Sequence, residues 1–105
     1  MTDTLPGAFG ALARSHPEIL RAYSALGEAC AQSGPLSARE RRLVKLALAI
    51  AAGSEGATHS HARRAAADGI DAAAARQVAL LAIGTLGLPQ AVRGLTWVED
   101  VLKQG

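Results

Sequence analysis

Alanine pervades this chain and leaves few folds open to it. Twenty-four of its 105 residues are alanine, and only Phe9, Tyr23 and Trp97 are aromatic. Alanine costs no side-chain entropy in a helix and lets backbones approach, so such a sequence favours closely packed helices. Its thin faces also bury little area per residue, so partner subunits are expected to complete the core. A chain of this length fits one domain, read here as residues 1–105.

The punctuation agrees with an all-α fold of five to six helices. Ser15-His16-Pro17-Glu18 combines a cap, an early proline and a glutamate three residues after the serine. Behind it Ile19, Tyr23, Leu26 and Cys30 recur at helical spacing, predicting a helix over about 17–32 with a buried, inert thiol. Gly34-Pro35 breaks the chain, and Ser37-Ala38-Arg39-Glu40 opens a second helix with another capping box. From Leu43 to Ala52 that helix is apolar nearly all round apart from Lys45, the pattern of a central, buried helix. Gly53 ends it. The next helix should close at Gly69 with a left-handed cap. Asp71 can cap a helix over 72–86, with Val78, Leu81, Ala82 and Thr85 on one face. Gly87-Leu88-Pro89 then turns into a last helix over about 89–103, carrying Val92, Leu95, Val98 and Leu102. No stretch alternates long enough to be a strand, and the residues before the first helix read as a loose segment.

Composition excludes several classes of function. The net charge is +2, and the pairs Arg41-Arg42 and Arg63-Arg64 have no aromatic side chains among them to stack on bases, so no nucleic acid is expected. The longest apolar run, Leu46 to Ala52, is far too short to cross a bilayer, and the first five residues lack a basic lead and apolar core. A cytoplasmic protein without membrane contact is expected. A single cysteine, Cys30, rules out an intrachain disulfide and a Cys-x-x-Cys redox pair.

Chemistry concentrates between Ser54 and Ala65, where His59, His61, Glu55, Thr58, Ser60, Arg63 and Arg64 lie together. At about 100° per residue, Ala57, His61 and Ala65 share a helical stripe with Thr58 beside it, whereas Glu55, His59 and Arg63 form a second stripe. The two histidines differ by about 200°, so they cannot readily hold one metal within a single chain. A metal would need ligands from another helix or subunit, and no Cys/His/Asp cluster with recognisable spacing supplies them, so no metal and no cofactor are expected. Glu55, four residues before His59, either orients that imidazole or forms an ordinary surface ion pair. His61, among small apolar neighbours, is either a general acid or base facing a small cavity or a structural histidine.

These features together resemble the carboxymuconolactone decarboxylase family, which includes the alkylhydroperoxidase D-like proteins. The resemblance covers residues 36–102. It rests on Leu36-Ser37-Ala38-Arg39-Glu40-Arg41-Arg42-Leu43-Val44 opening an apolar helix, then His61-x-x-x-Ala65-x-x-x-Gly69, the 72–86 helix, Gly87-Leu88-Pro89 and a final amphipathic helix. Redox members of the family carry Cys-x-x-Cys-x-x-x-His and an earlier proton-relaying glutamate. Aligned on His61, those positions hold Ser54, Ala57 and Arg42. A thiol peroxidase needs an attacking and a resolving thiol, so the peroxiredoxin-type activity of redox members is disfavoured. The decarboxylase branch also lacks the cysteines and keeps the histidine, although its carboxylate four residues earlier falls here on Ala57.

The resemblance implies cofactor-independent acid–base chemistry on a small carbonyl or lactone compound, of decarboxylation or isomerisation type. His61 would be the catalytic residue with Glu55 and His59 as assistants, and Arg42 and Thr58 would contact the small-molecule ligand. It also implies a homo-oligomer, a trimer or hexamer. The alternative is a non-catalytic oligomeric binding module on the same scaffold.

Overall fold

The structure is a computed structural model that describes residues 7–103. Among them run seven helices and no strand: α1 (Gly7–Ser15), α2 (Pro17–Ala31), α3 (Ala38–Ala51), α4 (Glu55–Ala67), α5 (Ala72–Leu81), α6 (Ile83–Leu86) and α7 (Leu88–Leu102). The all-α architecture is the expected one. Two compact units divide at Pro35, the first holding α1 and α2 and the second α3 to α7.

In the first unit a helix stands where the sequence reads as a loose segment; residues 1–6 of that segment lie outside the described residues. The Ser15–Glu18 capping box does not form, because Ser15 is still inside α1 and its hydroxyl donates to the Ala11 carbonyl at 2.9 Å. His16 takes the cap position of α2 without a side-chain cap bond, and Pro17 follows at the first helical position. Within this unit α2 packs against the nine-residue α1 and buries none of its residues. Ile19, Tyr23 and Leu26 are exposed, and so is Cys30, which the apolar spacing places in a core.

The second unit is built on well-formed helix ends. Ser37 Oγ accepts from the Glu40 N–H at 3.1 Å while the Ser37 N–H donates to Glu40 Oε1 at 2.7 Å, completing the expected capping box of α3. At the far end Gly53 adopts φ 69°, its N–H donates to the Ile50 carbonyl and the Ser54 N–H donates to the Ala49 carbonyl. Ser54 then caps α4 by accepting from the Ala57 N–H at 3.2 Å. One residue thus closes α3 and opens α4. Gly69, at φ 81°, ends α4 with the same pair of bonds, and the buried Ile70 seals the turn.

Two expected features of the following helices change. Asp71 precedes α5 but makes no cap bond; its carboxylate instead faces Arg39 at 3.9 Å. The single helix expected over 72–86 divides at Ala82, where the ladder tightens to Ala82 N–H on Ala79 O and Thr85 N–H on Ala82 O.

The core gathers Leu46 and Ile50 of α3, Ala62 of α4, Ala75 and Ala79 of α5, and Val98 and Val101 of α7. Its stripes keep Val98 of the residues read from the sequence, with Val78, Ala82, Leu95 and Leu102 packed against the core, and leave others out. On α7 the buried set is Ala91, Gly94, Val98 and Val101, and Val92 is exposed. On α5 it is Ala75 and Ala79, with Val78 and Ala82 alongside, and Leu81 is exposed. α3 is not buried all round either, since Val44 and Leu48 face solvent. Small residues win the tightest positions because helices approach closest where side chains are shortest.

Gly94 makes that approach explicit. A Cβ there would stand 2.5 Å from Ile50 Cγ2 and 3.0 Å from Ile50 Cγ1, and Ile50 is fully buried. Gly94→Ala should therefore lower stability by about 1–2 kcal/mol in urea unfolding, overpacking outweighing the gain in helix propensity. A variant as stable as the parent would show that α3 and α7 are less tightly apposed than described.

Candidate functional site

α3 and α4 form an antiparallel hairpin about the Gly53-Ser54 turn, so residues about equally far from the turn face each other. Arg42 and Ala65 each stand about eleven residues from it, and His61 and Asp68 flank Ala65 one helical turn away on either side. Arg42 meets both. Its Nε donates to Asp68 Oδ2 at 3.2 Å, and its Nη1 donates to His61 Nδ1 at 3.1 Å. The Arg42 side chain is 21% exposed and that of Asp68 51%.

This contact assigns the imidazole proton. A guanidinium has no acceptor, so Nδ1 of His61 must accept and the ring hydrogen sits on Nε2. Burial, followed by the nearby cations Arg42, Arg64 and Lys45, pushes His61 down from the usual histidine value of 6.5 to about 4. At neutral pH the ring is therefore uncharged. Among the described residues Nε2–H has no acceptor, while no buried side-chain polar atom goes unpartnered, so this edge of the ring meets solvent. The arrangement pairs a neutral imidazole with cations, a setting that attracts an anion.

The remaining expected site residues are placed differently. Thr58 is fully buried, and its hydroxyl donates to the Ser54 carbonyl at 2.7 Å, so its polar group is taken up by its own helix. Glu55 and His59 lie on the side of α4 that faces α7, not the side that faces α3. His59 Nε2 stands 3.0 Å from Asp100 Oδ2, and ligand atoms of Glu55, His59 and Asp100 all lie within 4.8 Å of one another. The structure thus brings His61 together with Arg42, and Glu55 together with His59, as two separate groups. Those two groups divide the helix.

Two partners are missing from the sequence reading. Asp68 was within reach of it, since the hairpin reflection that places Arg42 opposite Ala65 also places it one turn from Asp68. Asp100 was not, because pairing it with His59 needs the register of α7 on α4, and no local pattern encodes that register.

Comparison with known proteins places this geometry in context. The family model described as carboxymuconolactone decarboxylase family matches residues 17–100, taking in α2 as well as the second unit. A Haemophilus influenzae protein described as uncharacterized is 38% identical over 64 residues, which are 61% of this chain and 57% of that protein. The match thus spans little more than half of that relative's length. No solved structure matches the chain significantly.

The state of His61 has a consequence for stability. As pH falls, the unfolded ring takes up a proton near 6.5 and the folded ring only near 4. Its contribution is therefore complete above about pH 6.5 and is lost as pH falls toward about 4. His61→Gln, which cannot titrate in this range, should lose less stability than the parent between pH 7 and pH 4 in urea unfolding. Equal losses in the two proteins would contradict the assignment.

Proposed function

The chain belongs to the carboxymuconolactone decarboxylase family, and from that premise we propose that it performs cofactor-independent acid–base chemistry on a small carbonyl or lactone compound bearing a carboxylate. The reaction is proton transfer at a carbon next to the carbonyl, of decarboxylation or isomerisation type. One observation supports this reading above the others. The His61 ring is neutral, held at Nδ1 by a guanidinium and open at Nε2.

Each edge of the ring has a role in this proposal. Nε2–H donates to the substrate carbonyl oxygen, where negative charge develops as the neighbouring carbon loses carbon dioxide or a proton. Arg42 binds a carboxylate of the substrate, as its planar fork suits. Its Nη1 stays on Nδ1, so the ring keeps its proton on Nε2, and Nη2 of Arg42 meets the carboxylate. The carbon that loses carbon dioxide takes up a proton from solvent water, and in an isomerisation water carries the proton between carbons, while Nε2–H steadies the enolate oxygen. Asp68 holds Arg42 in reach of the ring and the carboxylate. Glu55, His59 and Thr58 lie outside this scheme, the first two across α4 and the third inside it.

The positions that carry thiols in redox members support no hydroperoxide chemistry here. Ser54 Oγ caps α4, Ala57 has no reactive group, and Cys30 belongs to α2 in the first unit.

The test is solvent exchange. A panel of lactones and keto acids in deuterated buffer should yield at least one compound that gains deuterium next to its carbonyl. His61→Ala should slow that exchange on the order of a hundredfold or more, and Arg42→Ala should raise KM for the same compound. Exchange undiminished in His61→Ala would contradict the acid–base role and favour a non-catalytic binding module.

A homo-oligomer, a trimer or hexamer, forms part of the same proposal. The exposed apolar residues Ile19, Tyr23 and Leu26 on α2, and Val44 and Leu48 on α3, support it as surfaces for a second copy of this chain. Light scattering on the eluted protein should give a mass about three or six times the 10.7 kDa of one chain. A mass of one chain would contradict it.

A further inference from the structure

The side of α4 that faces α7 carries a second chemical group. Glu55 and His59 stand four residues apart, the spacing that brings two side chains over one helical face. Asp100 reaches them from α7, with its Oδ2 3.0 Å from His59 Nε2. Ligand atoms of all three fall within 4.8 Å of one another. The histidine–aspartate contact alone could be an ordinary ion pair. Glu55 argues for more. Its carboxylate makes no hydrogen bond or ion pair among the described residues, yet it stands beside a second carboxylate, an arrangement that favours a cation between them.

We propose that Glu55, His59 and Asp100 bind one divalent transition-metal ion of the zinc or manganese class at the α4–α7 seam. One imidazole and two carboxylates form a donor set that such ions accept, and they bring two negative charges to a dication. Zinc bonds to nitrogen and oxygen are about 2.0–2.2 Å, so donors around one ion lie roughly 3.5 Å apart. The 3.0 Å histidine–aspartate contact would open slightly, and no other separation, being within 4.8 Å, need close by more than about 1.3 Å. The exposed Glu55 and the 44%-exposed Asp100 side chain have the freedom to make these shifts, while the 24%-exposed His59 ring stays in place. Both helices are held by the core through Ala62, Val98 and Val101, so the three residues ride on a firm seam. Water would fill the remaining coordination positions. The ion would join α4 to α7 and raise the stability of the second unit.

The test uses tag-free, chelator-treated protein, titrated calorimetrically with zinc and spectroscopically with cobalt(II). The expected result is one ion per chain, visible cobalt d–d bands, and a melting temperature that rises with zinc. His59→Ala should abolish binding, Glu55→Gln should weaken it on the order of tenfold, and His61→Ala should bind as the parent does. If His59→Ala is found unfolded by circular dichroism, Asp100→Asn, which preserves shape, takes its place with the same expected loss. No binding to the parent, binding that survives His59→Ala or Asp100→Asn, or an equal loss in His61→Ala would overturn the site. Binding unaffected by Glu55→Gln would overturn the three-residue site as well. None of these outcomes depends on the activity proposed for His61.

Discussion

The junction at Gly53 and Ser54 sets the geometry on which the second unit depends. Gly53 turns the chain through a positive φ that side chains rarely adopt, and Ser54 both completes the end of α3 and caps α4. With no slack residue between the helices, their register follows from this turn. That register puts Arg42 against His61 and Asp68. A longer connection would let α4 slide along α3 and would break the contact at once.

Much of this was legible in the sequence, because helix ends are written in local chemistry. The Ser37–Glu40 box, the helix end at Gly53, the left-handed cap at Gly69, and the proline-led start of α7 each need only a few neighbouring residues. Helix faces were harder to read. In a chain so rich in alanine the apolar stripes differ little in hydrophobicity, and Ala75, Ala79, Ala91 and Gly94 share the buried positions of α5 and α7 with Val98 and Val101, while Leu81 and Val92 are exposed. Leu81 is exposed where the smaller Ala75 and Ala79 take the close approach, and Cys30 is exposed because α2 buries none of its residues. The Arg42–His61 pair was pointed to by family resemblance, and the partner of His59 lay beyond both routes.

α4 emerges as a helix with chemistry on two sides and packing between them. Towards α3 it presents a neutral histidine held by cations; towards α7 it presents a histidine among carboxylates. Thr58, Ala62 and Ala65 are buried on the same helix. The odd spacing of His59 and His61 is what makes this possible, since two residues of a helix cannot point the same way at that separation. Opposite electrostatic surroundings give two identical side chains different uses.

The most direct test of this account is nitrogen-15 NMR of the His61 ring in the parent and in Arg42→Ala. The account predicts a neutral ring with its proton on Nε2 at pH 7, titrating near pH 4, and a clear rise of that value once the guanidinium is gone. A ring protonated at pH 6, a proton on Nδ1, or a titration indifferent to Arg42→Ala would contradict it.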